Sequence, residues 1–217
     1  MKRLFEQYRP ATWGEVIGQD KVLVKIDNLR KRGLAGRAWW ISGVPGCGKT
    51  SIAYLLAAEI AEPWAVEEVA GQQVTAEWLN ALEDTWGTLP LGSETKRGRA
   101  YVLNEAHRLS TYAVNRLLCL LEDKHLPAHV AVIFTTTTDG LALFEDGQMD
   151  ASPLLSRCTE LRLTNQGLAQ AFAVRAKEIA TAEGLDGQDV SAYVKLVQSC
   201  KNNFRAVLQK IEEGAMV

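Results

Sequence analysis

The sequence predicts an α/β fold in which a parallel sheet lies between layers of helices, followed by a small three-helix domain. Three observations carry this. Apolar runs of strand length recur near residues 38–41, 66–69, 100–103, 130–135 and 159–163, with helical spacing between most of them, the alternation expected of βαβ units. The first run leads into the glycine-rich stretch Gly43-Val44-Pro45-Gly46-Cys47-Gly48-Lys49-Thr50, behind which a helical pattern opens at Ser51. After Thr164 the strand-like runs stop, and three helical segments follow near 166–183, 188–200 and 203–213. The division expected is an α/β core over 1–163 and a helical unit over 164–217.

Ala38-Trp39-Trp40-Ile41-Ser42 supplies the strand, residues 43–50 the loop and residues 51–60 the helix, the order that a phosphate-binding loop requires. The glycines let the backbone wrap a polyphosphate, so that N–H groups and the start of the helix point at its charge. Lys49 then reaches the outer phosphates and the Thr50 hydroxyl sits on Mg²⁺. Val44, Pro45, Gly46, Cys47, Gly48, Lys49, Thr50 and Ser51 are the candidate contacts to ATP or ADP from this stretch. The plainer alternative is a glycine-rich turn that only caps a helix. Cys47 fills a position where the motif fixes no residue type and reads as a small residue. Further on, residues 82–99, with Gly87, Pro90 and Gly92, read as a loop or hairpin into the next strand. Residues 139–153 read as a second irregular stretch, and Gly184 and Gly187 as the stop after the first of the three late helices.

Composition excludes several classes. The chain has 217 residues, 47% of them hydrophobic, enough for a sizeable interior. Its 24 basic and 26 acidic residues leave a net charge of −2, so the chain as a whole is no electrostatic glove for nucleic acid. The local basic groups, Lys96-Arg97-Gly98-Arg99 and Arg30, Lys31, Arg32 and Arg37, read as readily as solvated loops. Cys47, Cys119, Cys158 and Cys200 show no paired spacing, which argues against a zinc site or a disulfide framework and fits a reducing cytoplasm. No apolar stretch approaches membrane-spanning length, the first residues lack the apolar core of a signal peptide, and no internal repeat is visible.

The third strand-like run, Tyr101-Val102-Leu103, ends in Asn104-Glu105, placing a polar pair at a strand's carboxyl end, where open α/β sheets bind ligands. Here the chain resembles the AAA+ ATPases, and among them the ATPase subunits (tau/gamma type) of bacterial replication clamp loaders. The likeness runs over nearly the whole sequence. The segment from Tyr8-Arg9-Pro10 through Val16-Ile17-Gly18-Gln19 is similar to the family's opening signature, which folds over the adenine. Glu105-Ala106-His107-Arg108-Leu109-Ser110 and the helical residues after it resemble the family's second nucleotide motif. Phe134 to Asp139 is similar to the sensor strand, Leu155-Ser156-Arg157-Cys158 to the clamp-loader Ser-Arg-Cys motif, and Asn203 to Leu208 to the lid helix with the second sensor.

The resemblance implies an AAA+ P-loop NTPase core with a three-helix lid, and it assigns roles. Tyr8, Arg9, Pro10, Val16 and Ile17 would line the base pocket. Glu105 would orient or deprotonate the attacking water. Thr138 would donate to the γ-phosphate or that water, its register within the four-threonine run open to a shift of one. Arg157 would act as an arginine finger on a neighbour's nucleotide, which implies a ring or spiral of like or unlike subunits. Arg205 would contact the phosphates of its own subunit from the lid, and Asn202, where the family usually has Gly, would keep the left-handed turn. Lys49 and Glu105 complete the catalytic set, with Thr50 and Asn104 on the metal.

Two departures qualify the match. Asn104 stands where the family has an Asp that holds Mg²⁺ through its water shell, so metal affinity and turnover are expected to fall. Nor is there a collar after the lid or a zinc-binding cysteine cluster, which fits either a minimal relative or a chain cut after the lid. The leading expectation is an ATP-dependent switch acting in DNA replication or repair, with slow, assembly-dependent hydrolysis, a sliding clamp and primed or duplex DNA as partners and no membrane. The alternatives are a hydrolysis-silent subunit that supplies its finger to a neighbour, or another AAA+ protein that remodels DNA.

Overall fold

The computed structural model describes residues 2–88, 96–122, 125–137 and 152–217. Along the chain the elements are α1 (Leu4–Gln7), α2 (Asp20–Arg30), β1 (Arg37–Ser42), α3 (Lys49–Ile60), β2 (Val66–Ala70), α4 (Ala76–Trp86), β3 (Arg99–Asn104), α5 (Thr111–Leu120), β4 (Val130–Thr136), α6 (Ser152–Leu155), β5 (Cys158–Arg162), α7 (Ala169–Ala182), α8 (Val190–Ser199) and α9 (Phe204–Glu212). The five strands form one parallel sheet in the order β2-β3-β4-β1-β5. The fold class is the one expected, and the strands begin and end within about two residues of their sequence positions.

Strand alternation explains how one sheet serves two cores. Trp39 and Trp40 are consecutive, so their side chains leave β1 on opposite faces. Trp39 packs with Ile41, Ile52, Ala53, Leu56, Val102 and Ile133 on the side covered by α2 and α3. Trp40 packs with Leu103, Leu117, Phe134, Leu79 and Leu82 on the side covered by α4 and α5. Its ring lies 5.5 Å from that of Phe134, tilted by 39°. A parallel sheet buried on both faces takes near-continuous apolar runs in its inner strands: every residue of β4 is buried, and Val130 to Phe134 are apolar.

One expectation is corrected. Residues 82–86 are not loop: α4 continues to Trp86, its first turn capped by Thr75, whose side chain accepts from the Trp78 N–H at 3.2 Å. Leu79, Leu82 and Trp86 recur at helical spacing and are all buried, and that stripe outweighs the glycines and proline behind it. Residues 89–95 and 138–151, which include Thr138, lie outside the described residues.

The helices α7, α8 and α9 surround a third cluster of Phe172, Ala176, Ile179, Tyr193, Val197, Val207, Leu208 and Ile211. Leu4 of α1, from the opposite end of the sequence, is buried in it. Between α7 and α8, Asp186 ties the helices together: its carboxylate accepts from Lys177 Nζ (3.1 and 2.8 Å), Thr181 Oγ1 (2.9 Å), the Tyr193 hydroxyl (3.0 Å) and the Gln188 N–H (3.3 Å). These bonds, that from Lys177 foremost, hold its pKa down at about 2. A carboxylate depressed on folding adds stability above its unfolded pKa of about 3.9, and that stability is lost as pH falls toward the folded value. Asp186→Asn is therefore expected to lower the melting temperature at pH 7 by several degrees. The gap to the parent should shrink steadily below about pH 4, and a gap equally wide at pH 7 and pH 3 would contradict the assignment.

Candidate functional site

At the carboxyl ends of the strands, a cavity of about 450 Å³ opens between the sheet, the N-terminal segment and the late helices. It is lined by Pro45, Gly46, Cys47, Gly48, Lys49, Thr50 and Ser51 from the loop between β1 and α3. Tyr8, Arg9, Pro10, Val16 and Ile17 come from the N-terminal segment, and Asn104 and Glu105 from the end of β3. Thr135, Thr136 and Thr137 come from β4 and its exit, and Arg205 from α9. Residues as far apart in sequence as Tyr8 and Arg205 thus face one space. Val44 does not line it: the residue is 43% exposed, and its carbonyl accepts from Lys49 Nζ and from the Cys47 N–H.

The loop's backbone explains its glycines. Gly46 and Gly48 have φ values of 76° and 99°, a region that side chains disfavour. At Gly46 there is also no room, because a Cβ there would lie 2.0 Å from Oδ1 of Asn203. Asn203 is the N-cap of α9, accepting from the Ala206 N–H at 3.2 Å, so the loop and the last helix meet at a glycine and a cap. The turn before that cap is left-handed, Lys201 at φ 52° and Asn202 at φ 56°, the conformation for which an Asn in place of Gly suffices.

Lys49 Nζ donates to the carbonyls of Gly43 (2.7 Å) and Val44 (2.9 Å), and burial holds its pKa below the ordinary lysine value. Burial also pushes the Cys47 thiol up, which keeps it an inert packing group rather than a reactive one. Glu105 is exposed, sits at φ 54° and pairs with Arg108 at 3.3 Å. Arg205 lies over the Phe5 ring, 5.3 Å from its centre, and Tyr8 donates to Glu183 at 2.6 Å. Arg157 is elsewhere: it does not line the cavity, donates to the Pro153 carbonyl at 2.8 Å and lies 3.6 Å from Glu122.

Sequence reasoning missed Glu68 and Tyr54. Both line the cavity, and they join Asn104 in a network. The Asn104 amide donates to Glu68 and its oxygen accepts from Thr135 Oγ1 at 2.7 Å, while the Tyr54 hydroxyl donates to the other Glu68 oxygen. Burial, then the bond to Glu68, raises the Tyr54 pKa. A signal for Tyr54 was present, since it lies one helical turn beyond Thr50.

Residues 40–133 match the model of the AAA domain (dynein-related subfamily). The chain is 33% identical over 180 residues to DNA polymerase III subunit tau of Salmonella typhimurium and to that of Escherichia coli, in each case over 74% of this chain and 26% of the relative. It is 27% identical to DNA polymerase III subunit tau/gamma of Haemophilus influenzae over 97% of this chain and 32% of the relative. The chain belongs to the AAA+ family. Among solved structures, the AAA+ fold is shared with the Thermotoga maritima RuvB Holliday junction branch migration motor, with a TM-score of 0.68, 21% identity and coverage of 94% of this chain and 64% of that one. This AAA+ chain thus spans about a quarter of the length of the tau relatives it matches. Among its described residues no helix is long and apolar enough to cross a membrane, and no group of three or more His, Cys, Asp or Glu could cage a metal.

Proposed function

We propose that this AAA+ chain is an ATP-dependent switch of the clamp-loader type, binding ATP or ADP with Mg²⁺ in the cavity between the α/β core (1–163) and the lid (164–217). The single observation that carries this is the convergence of the phosphate loop, the end of β3 and Arg205 on one cavity of nucleotide size. The oxygen donors of Thr50, Asn104 and neighbouring Glu68 suit Mg²⁺, a hard cation that takes oxygen ligands and keeps part of its water shell. When bound, that ion neutralises charge on the outer phosphates.

In this reading the chain's own groups divide the work. Lys49 pairs with the phosphates, and the backbone of residues 45–50 cradles them. Tyr8, Arg9, Pro10, Val16 and Ile17 enclose the base. Glu105 accepts the proton of the attacking water, or orients it, after leaving Arg108. A threonine from the end of β4, Thr138 or its neighbour, donates to the γ-phosphate. Arg157, which does not line its own cavity, serves a neighbouring subunit, so assembly into a ring or spiral completes the site. Arg205 couples lid position to nucleotide state. Asn104 keeps hydrolysis slow. The assembly acts in a reducing cytoplasm on a sliding clamp and on primed or duplex DNA. Asn104 also favours a second reading, a hydrolysis-silent subunit whose contribution is Arg157.

The test is ATP turnover with and without primed DNA, together with solution mass in a nonhydrolysable ATP analogue. Nucleotide-dependent assembly with turnover that rises on DNA is the expected result. A subunit that assembles and never hydrolyses supports the second reading, and a monomer that binds nucleotide without assembling or turning over sinks both.

A further inference from the structure

Three adjacent strands present a polar residue on the face toward α3, Asn104 and Thr135 at one level and Glu68 two residues nearer the start of its strand. Glu68 on β2 is in register with Val102, which precedes Asn104 by two residues and shares its face. The pairing of Leu103 with Phe134 sets Asn104 beside Thr135 on the next strand. On the opposite face, Leu103 and Phe134 belong to the other core. Period-2 alternation therefore delivers Glu68, Asn104 and Thr135 together to the side from which α3 brings Thr50 and Tyr54.

The hydrogen bonds fix each group's orientation. A carboxylate only accepts, so the end of the Asn104 amide that meets Glu68 must be the NH₂, and the oxygen is turned to the Thr135 hydroxyl. The other Glu68 oxygen is held by Tyr54, which sits one turn after Thr50 and carries the Arg9 guanidinium 5.1 Å over its ring. Glu68 is thus pinned between the helix that bears Thr50 and the strand end that bears Asn104, at the wall of the cavity. An Asp at 104 would put two like charges in contact at that spot, whereas the amide accepts the neighbour and keeps one negative charge there.

We propose that Glu68 supplies the carboxylate of the magnesium site that position 104 lacks, reaching it from the neighbouring strand two residues nearer that strand's start, with Asn104 as its positioning partner. The assignment rests on the nucleotide reading above. Mg²⁺ is held through one or two carboxylates with part of its water shell retained, so a carboxylate in contact with the Asn104 amide at the cavity wall can serve it through water.

The test uses Mn²⁺ in place of Mg²⁺, its binding to the ADP-loaded chain read by electron paramagnetic resonance, with fluorescent ADP binding in EDTA as the control for a folded site. Glu68→Gln should weaken Mn²⁺ binding by about 10-fold or more while metal-free ADP binding stays within about threefold. Asn104→Asp alone should bring no gain, and Glu68→Gln with Asn104→Asp should restore metal affinity to within about threefold of the parent. The assignment is overturned if Glu68→Gln leaves Mn²⁺ affinity within about twofold, or if Asn104→Asp tightens it as much in the parent as in the Glu68→Gln background. Failure of the parent to bind ADP either in EDTA or with the metal is a different result: it removes the nucleotide reading itself, and this assignment with it.

Discussion

Lys49→Met is expected to cost the chain on the order of 100-fold or more in affinity for ATP and ADP, because truncating one partner of a close charge pair costs about 2–5 kcal/mol and each 1.4 kcal/mol is tenfold. The same change should leave the free protein's melting temperature equal or higher. Lys49 is partly buried among loop carbonyls, and that burial depresses its pKa. The sign follows: a lysine depressed on folding opposes the folded state fully below its folded pKa, and the opposition is relieved as pH rises through it toward the unfolded value near 10.4. Near neutral pH the cost of burying the ammonium therefore detracts from the free fold despite its two carbonyl bonds, and a bound phosphate gives it an oppositely charged partner. Fluorescent-nucleotide titration alongside thermal melts separates the two effects. Lost affinity with an unchanged or raised melting temperature is the expected pair, and affinity within threefold of the parent would remove Lys49 from the site.

This separation of stability from function also explains what the sequence could and could not reveal. The stretch Gly43 to Thr50 is contiguous and so legible as written, and the inner strands β1, β3 and β4 are legible because burial on both faces makes them near-continuous apolar runs, which the edge strands β2 and β5 are not. The tie between Glu68 and Asn104 spans 36 positions and exists only because the sheet order sets β2 beside β3. Glu68 alone reads as one of two exposed acids in Val66–Ala70, and nothing in the alternation says which faces α3 until the register with β3 is known. The end of α4 was misread for a different reason: Gly87 and Pro90 are strong local punctuation, but Trp86 is fixed by the apolar face it completes. Arg157 is singled out in the sequence only by its neighbours Ser156 and Cys158, while its contacts with Pro153 and Glu122 are visible only in the structure. Local chemistry thus reads directly, and chemistry assembled across strands does not.

The largest effect on the fold itself is expected at Trp39. The side chain is fully buried on the α3 side of β1, and its indole N–H donates to the Leu34 carbonyl at 3.1 Å. Trp39→Ala removes the packing, leaves a cavity between β1 and α3, and strands that carbonyl, which together cost about 3–5 kcal/mol. Against a total of about 5–15 kcal/mol for a domain, this is enough to leave much of the chain unfolded at moderate denaturant. Trp40 offers the internal control, because its ring is equally buried on the other face but its indole N–H has no hydrogen-bond partner. Trp40→Phe shrinks the ring while removing a buried donor whose desolvation already costs about 1–3 kcal/mol, so the two effects oppose and the net loss should be small. Urea unfolding followed by circular dichroism should show a large drop in midpoint for Trp39→Ala and a minor one for Trp40→Phe. Trp39→Phe removes the same ring volume as Trp40→Phe but also the bond to Leu34, so it should lose more than Trp40→Phe; equal losses for these two phenylalanine variants would mean that the hydrogen bond of Trp39 to Leu34 contributes nothing to the difference between the two faces of β1.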